Sequence, residues 1–143
     1  MPAGYSKRSL VEKLGIKGGW KIAILSPPND FARTLGKLPA GVVVSKQLRP
    51  PLNFIHYFTK SKADLEKEFR ELKGTLSQDG ALWISWPKSS SGVATDLNEN
   101  VVRDIGLANG LVDIKVCAVD QTWSGLKFVF RLRDRKQGVG SRE

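Results

Sequence analysis

Short apolar runs alternate with amphipathic stretches along this chain, and that order constrains the fold more than any other feature. Trp20-Lys21-Ile22-Ala23-Ile24-Leu25, Val42-Val43-Val44, Phe54-Ile55-His56-Tyr57-Phe58 and Ala81-Leu82-Trp83-Ile84-Ser85-Trp86 are too short for buried helices and are bounded by turn residues. They read as buried strands. Pro27-Pro28 stops the first and Pro87 the last, because proline gives no amide hydrogen to a sheet ladder. Helical segments lie between them. Ser9 to Gly15 is a short helix, capped by Ser6 or Ser9 and ended by Gly15. Asp30 to Leu38 is a second, with Phe31 and Leu35 on one face.

The third helix has the plainest signal. Ser61 and Asp64 have the Ser-x-x-Asp capping spacing, and Leu65, Phe69, Leu72 and Leu76 make one apolar stripe. Glu66 stands four residues before Arg70, the favourable order for an ion pair. Gln78-Asp79-Gly80 reads as a turn. Asp96 and Glu99 bracket a fourth helix start, with Leu97, Val101, Ile105 and Ala108 as its buried stripe. Two further runs, 112–119 and 126–132, have no helix between them and should pair as an antiparallel hairpin. The expectation is an α/β fold of three layers: a mostly parallel, Rossmann-like sheet with helices on both faces and a C-terminal antiparallel hairpin. In such sheets the ligand crevice lies beyond the carboxyl ends of the strands, where strand order reverses. Three loops should meet there: Ser26 to Asn29, the residues after Phe58, and Trp86 to Asp96.

The length of 143 residues fits a single domain, with an ordered core over about 9–133 and a polar tail over 134–143. A hydrophobic fraction of 41% argues against wholesale disorder, and no apolar run is long enough to span a membrane. The first residues lack the apolar stretch of a secretory signal, and Cys117 has no second cysteine to pair with. A cytoplasmic protein is the simplest reading. The formal charge is +9, concentrated at the ends: residues 1–21 are net +4 and residues 131–143 net +3. Basic ends give weak, sequence-independent affinity for nucleic acid or simply solubility.

A resemblance adds to this. The helix before Leu76, the Gln78-Asp79-Gly80-Ala81-Leu82-Trp83 passage, the next helix and the final hairpin resemble the second half of a class I methyltransferase domain. Gly18-Gly19-Trp20-Lys21-Ile22-Ala23-Ile24-Leu25 is similar to the lead-in to that fold's first strand. Such methyltransferases place a glycine-rich turn after that strand and an acid at the end of the second, both for the adenosyl cofactor. Here Ser26-Pro27-Pro28-Asn29 and Ser45-Lys46 stand at those places, and one helix-and-strand section is missing. A narrower likeness lies in Trp83-Ile84-Ser85-Trp86-Pro87-Lys88, Gly92-Val93-Ala94-Thr95-Asp96-Leu97, Val112-Asp113-Ile114-Lys115-Val116-Cys117-Ala118-Val119-Asp120 and Thr122-Trp123-Ser124-Gly125-Leu126-Lys127. These resemble a family of small bacterial proteins, a domain of unknown function. The likeness implies bacterial origin and a methyltransferase-like layout, and supplies no reaction.

Candidate chemistry is sparse. Lys88-Ser89-Ser90-Ser91-Gly92 precedes a helix, where unpaired amides and partial positive charge attract anions, although Thr95 or Asp96 could already cap that helix. Trp83 and Trp86 are three apart in one strand and so point to opposite faces. Trp86 and Trp123 are the better placed to reach the crevice. Ser26, Asn29, Lys88 and Thr95 should converge. The ligand-binding candidates are therefore Ser26, Asn29, Trp86, Lys88, Ser89, Ser90, Thr95, Asp96 and Trp123. His56, mid-strand among aromatic residues, and Cys117, inside a strand, read as structural. No catalytic constellation or metal-ligand cluster is evident. The expected function is a methyltransferase-like domain without methyltransferase activity. It would act as a binding or regulatory module for an anionic small molecule or a partner protein. A reduced S-adenosylmethionine-dependent methyltransferase is the disfavoured alternative, and a weak nucleic-acid binder is another.

Overall fold

The computed structural model describes residues 8–135. Six strands form one sheet in the order β2-β1-β3-β4-β6-β5: β1 (Lys21–Leu25), β2 (Val43–Ser45), β3 (Leu52–Phe58), β4 (Leu76–Pro87), β5 (Leu111–Ala118) and β6 (Trp123–Phe130). The first four in that order are parallel, and β6 runs antiparallel to both β4 and β5. The chain leaves β1 to one side for β2 and returns to its other side for β3. Strand order therefore reverses at β1. The return is a loop over 46–51, whose six residues reach at most about 20 Å. That suffices because β2 has only three residues.

Helices cover both faces. On one, α3 (Lys62–Thr75) and α4 (Glu99–Ala108) bury Leu65, Phe69, Leu72, Val102 and Ile105 against Leu82, Ile84, Trp86, Leu126 and Phe128. On the other, α1 (Leu10–Leu14) and α2 (Phe31–Leu35) bury Val11, Leu14, Phe31 and Leu35 against Ile22, Phe54, Phe58, Trp83 and Trp123. Trp83 and Trp86 thus do face opposite ways. Each fully buried Leu or Phe contributes about 1.5–3 kcal/mol of transfer free energy.

The helix signals act as their residue types require. Ser9 and Glu12 form a reciprocal capping box, and Gly15 closes α1 at φ 83°. The Ser61 hydroxyl accepts from the Asp64 amide. Several boundaries differ from expectation. Helix α2 stops at Leu35 because Gly36 turns out of helical geometry at φ 85°. Gln78-Asp79-Gly80 is no free turn: the strand runs through it as a bulge, the register passing from Leu52↔Leu76 to Phe54↔Ala81. Asn98, not Thr95 or Asp96, caps α4 by accepting from the Val101 amide. The later start shifts the buried stripe to Val102, Ile105 and Gly106, leaving Val101 half-buried and Ala108 exposed. Glu66 and Arg70 form no ion pair among the described residues. The last strand ends at Phe130 rather than Leu132, and the chain then makes one helical turn over 132–135, across the expected start of the polar tail at 134. Residues 1–7, with the alternative cap Ser6 and the basic Lys7, and residues 136–143 of the polar tail lie outside the described residues.

Candidate functional site

At the carboxyl ends of β1 and β3, beside the reversal of strand order, lies an open cleft of about 640 Å³. One wall is the turn after β1, Ser26 to Asn29. Non-glycine residues with left-handed backbone bracket this turn, Ser26 at φ 55° and Asp30 at φ 65°. Such conformations carry a local cost and tend to collect at functional sites. Pro27 and Pro28 hold the turn rigid and contribute no amide hydrogens. The opposite wall is the passage from β3 into α3, Tyr57 to Ser61 with Asp64. Thr122 and Trp123 from the hairpin complete the lining with Val93.

The cleft therefore has ring surfaces (Pro27, Pro28, Tyr57, Phe58, Trp123) and polar groups (Ser26, Asn29, Thr59, Ser61, Thr122). Lys60 and Asp64 are its charged residues. Burial pushes the Tyr57 phenol above its ordinary pKa. A hydrogen bond with Thr59 opposes this, and the nearby Glu68 and Asp64 reinforce it. Trp123 is held by its amide hydrogen bond to the Asp120 carboxylate, 2.7 Å.

The sequence-derived candidates divide. Ser26, Asn29 and Trp123 line the cleft, whereas Trp86, Lys88, Ser89, Ser90, Thr95 and Asp96 do not. Trp86 is 4% exposed and packed under α3 and α4. Lys88 begins a 3₁₀ turn, Ser89–Ser91, and its amide donates to the Thr122 carbonyl. The Thr95 hydroxyl donates to the Lys60 carbonyl at 2.6 Å, and the Asp96 carboxylate accepts from the Lys62 amide at 2.8 Å. Thr95 and Asp96 thus tie their loop to the start of α3 and fix Lys60 and Ser61 at the cleft edge. Sequence reasoning put the loop after Phe58 at the crevice but counted none of Thr59, Lys60, Ser61 and Asp64 among the site residues. The Ser-x-x-Asp cap spacing marks two of them, Ser61 and Asp64, and carries no signal for Thr59 or Lys60.

His56 lies beneath the cleft and is fully buried. Its Nε2 is 2.7 Å from the Ser85 hydroxyl, and the ring stacks on Phe58. Among the described residues Nδ1 has no hydrogen-bond partner, and burial lowers the pKa to about 3. His56 and Ser85 are both 0% exposed, so the pair belongs to the core and presents no nucleophile to a substrate. Cys117 is half-buried, and burial raises its thiol pKa. Among the described residues no three His, Cys, Asp or Glu side chains gather as a metal site, and no helix is long and apolar enough to cross a membrane.

No known protein-family profile matches the sequence, and no curated protein matches it. Solved structures do match in fold. A SAM-dependent methyltransferase from Aquifex aeolicus superposes with a TM-score of 0.58 at 15% identity, over 83% of this chain and 86% of that one. Magnesium protoporphyrin IX methyltransferase from Synechocystis, with bound SAH, gives 0.54 at 11% identity, over 85% and 78%. A TehB-like SAM-dependent methyltransferase from Corynebacterium glutamicum gives 0.52 at 11% identity, over 85% of each chain. At these identities the likeness is one of architecture: the chain has a methyltransferase-like, mostly parallel α/β fold that ends in an antiparallel hairpin.

Proposed function

We propose that this protein is a binding module on a methyltransferase-like fold, taking a small anionic molecule in the cleft between the β1 turn and the start of α3. The observation that carries this reading is the Ser26–Asp30 turn, rigid with two prolines and bracketed by left-handed residues, at the place where the order of the parallel strands reverses. Lys60 supplies the cation, the hydroxyls of Ser26, Thr59 and Ser61 supply donors, and Trp123 gives a flat apolar floor. The module is read as non-catalytic because, among the described residues, the cleft lining holds one carboxylate, Asp64, and no histidine or cysteine.

S-adenosylmethionine is a poor fit to these residues. The turn that would approach it lacks two amide hydrogens and any glycine. At the end of β2, where its ribose would need an acceptor, the Ser45 hydroxyl is bonded to the Gln47 backbone and Lys46 follows. A separate groove along β2 and the loop after it carries Lys21, Lys46 and Arg49, so the β2 side of the sheet is cationic rather than acidic. Isothermal titration tests it. S-adenosylmethionine should show no binding tighter than about 10 µM, equivalent to roughly −7 kcal/mol. Thermal-shift screening of phosphorylated and carboxylated metabolites should give a ligand whose effect is lost in Lys60→Met and Asn29→Ala. Tight cofactor binding would instead favour the reduced-methyltransferase reading, which methyl transfer to an acceptor would then have to demonstrate.

A further inference from the structure

Away from the cleft, four lysines gather on the α1 side of the sheet. Lys115 on β5 and Lys127 on β6 are register partners across the hairpin. Both reach the end of α1. Lys115 Nζ donates to the Lys13 carbonyl at 2.8 Å, and Lys127 Nζ lies 3.5 Å from where a Cβ on Gly15 would stand. Lys13 belongs to the last turn of α1, and Lys17 is exposed just beyond it. The Lys127 ammonium is pushed below its ordinary pKa by burial and then by Lys115 and Lys17, so the charges sense one another. Cys117 shares this surface, with Lys115 and Lys13 near enough to act on its thiol.

The acids nearest in sequence are committed elsewhere. Glu12 closes the capping box with Ser9, and Asp113 is held by Arg103 at 2.8 Å. Among the described residues none of the four lysines is ion-paired. Like charges set opposite one another in a sheet destabilise it. A single lysine would be enough to satisfy the helix carbonyl, so the other three serve no such need. Lys17 is exposed and the other three are half-buried along the hairpin and α1, outside both the cleft and the Lys21–Lys46–Arg49 groove. Ammonium groups spread along such a face suit an extended polyanion better than a compact ligand.

We propose that Lys13, Lys17, Lys115 and Lys127 form a face that binds the phosphate backbone of nucleic acid without reading sequence. It is separate from the cleft, and it joins Lys13 and Lys17 of the basic amino-terminal stretch to Lys115 and Lys127 of the hairpin.

The test is fluorescence anisotropy of a labelled mixed-sequence DNA duplex with the full chain, from about 20 to 200 mM salt. Lys115→Gln with Lys127→Gln should weaken binding at least about tenfold at low salt. It should also flatten the slope of log affinity against log salt by about two, one for each lost phosphate contact. Lys62→Gln with Lys67→Gln removes the same charge from exposed positions on α3, across the sheet, and should leave that slope within about half a unit. Lys17→Gln, exposed and outside any regular element, keeps the fold intact and should flatten the slope by about one. Equal losses from the two double variants would overturn the proposal, since bulk charge alone would then explain the affinity. Unchanged binding by the hairpin variant would overturn it too. So would absence of duplex binding at the lowest salt, or equally strong competition by polyglutamate.

Discussion

The two faces of the sheet are covered unequally. One carries helices of 14 and 10 residues, the other two helices of five residues each. A five-residue helix has almost no stability of its own. The thin face is closed instead by rings. Phe31 meets Phe58 edge-on at 4.8 Å, Phe58 meets Trp123 edge-on at 5.3 Å, and Trp83 Nε1 donates to the Leu14 carbonyl. Large side chains on the sheet thus do the covering that long helices do opposite. The thick face is an ordinary packed core. The thin face holds the buried histidine, the unpaired lysines and one wall of the cleft.

The largest expected effect lies on the thick side. Phe69 is 0% exposed and packs edge-on against Phe128. Phe69→Ala should cost about 4 kcal/mol in denaturant unfolding. Phe31→Ala on the thin side should cost less, toward 3 kcal/mol, since a five-residue helix relaxes into the gap more readily. Equal costs would show that α2 is held as firmly as α3. Gly106 probes the same asymmetry from the helix backbone. A Cβ there would run into the Phe128 ring, so close does α4 approach β6. Gly106→Ala should therefore cost about 3 kcal/mol despite the better helix propensity of alanine. A stabilised variant would mean that α4 can lift away.

On the thin face the next effect is one of pH. His56 has a folded pKa of about 3 against an ordinary 6.5, the shift caused by burial. Its neutral form is the one the fold accepts. The contribution is thus fully present above pH 6.5 and is lost as pH falls from there toward 3. At pH 5 the loss should be about 2 kcal/mol. Unfolding free energies from denaturant titrations at pH 7.5 and 5 should differ by that much more in the natural protein than in His56→Phe. A variant with the same pH dependence would place the sensitivity elsewhere.

The legible parts of this fold were those that local pattern controls. The stripe Leu65, Phe69, Leu72 gave α3 with its cap, and apolar runs gave the central strands. What stayed hidden depends on register and close approach. Ser85 partners His56 only because β3 and β4 align Phe58 with Ser85 and His56 with Trp83. Gln78-Asp79-Gly80 looks like a turn because its residues suit one, yet the flanking pairing carries it as a bulge. Gly106 lies in a helical pattern with no hint that a ring sits against it. At the cleft, the β1 turn was readable from its prolines and its place in the strand order. Lys88 and the serines suggested a site by composition, but their loop is drawn instead to Thr122 and to the start of α3.

The smallest expected effects compare the starts of two helices, one on each face. At α3 the Ser61 hydroxyl accepts from the Asp64 amide at 3.1 Å, and the Asp96 carboxylate takes the Lys62 amide. Two of the amides that a helix start leaves unpaired are therefore satisfied. At α2 the Asp30 side chain makes no capping bond, and its backbone sits at φ 65°. Ser61→Ala should thus cost about 1 kcal/mol. Asp30→Gly should stabilise by about 0.5 kcal/mol, because the relief of a left-handed L-residue exceeds the added freedom of glycine in the unfolded chain. Opposite signs in chemical denaturation would confirm that the thick face is built on a formed cap and the thin face on a tolerated strain. If Asp30→Gly destabilises by as much as Ser61→Ala, the Asp30 carboxylate is contributing to the α2 start through its charge at the helix end, and the thin face is better secured than its hydrogen bonds indicate.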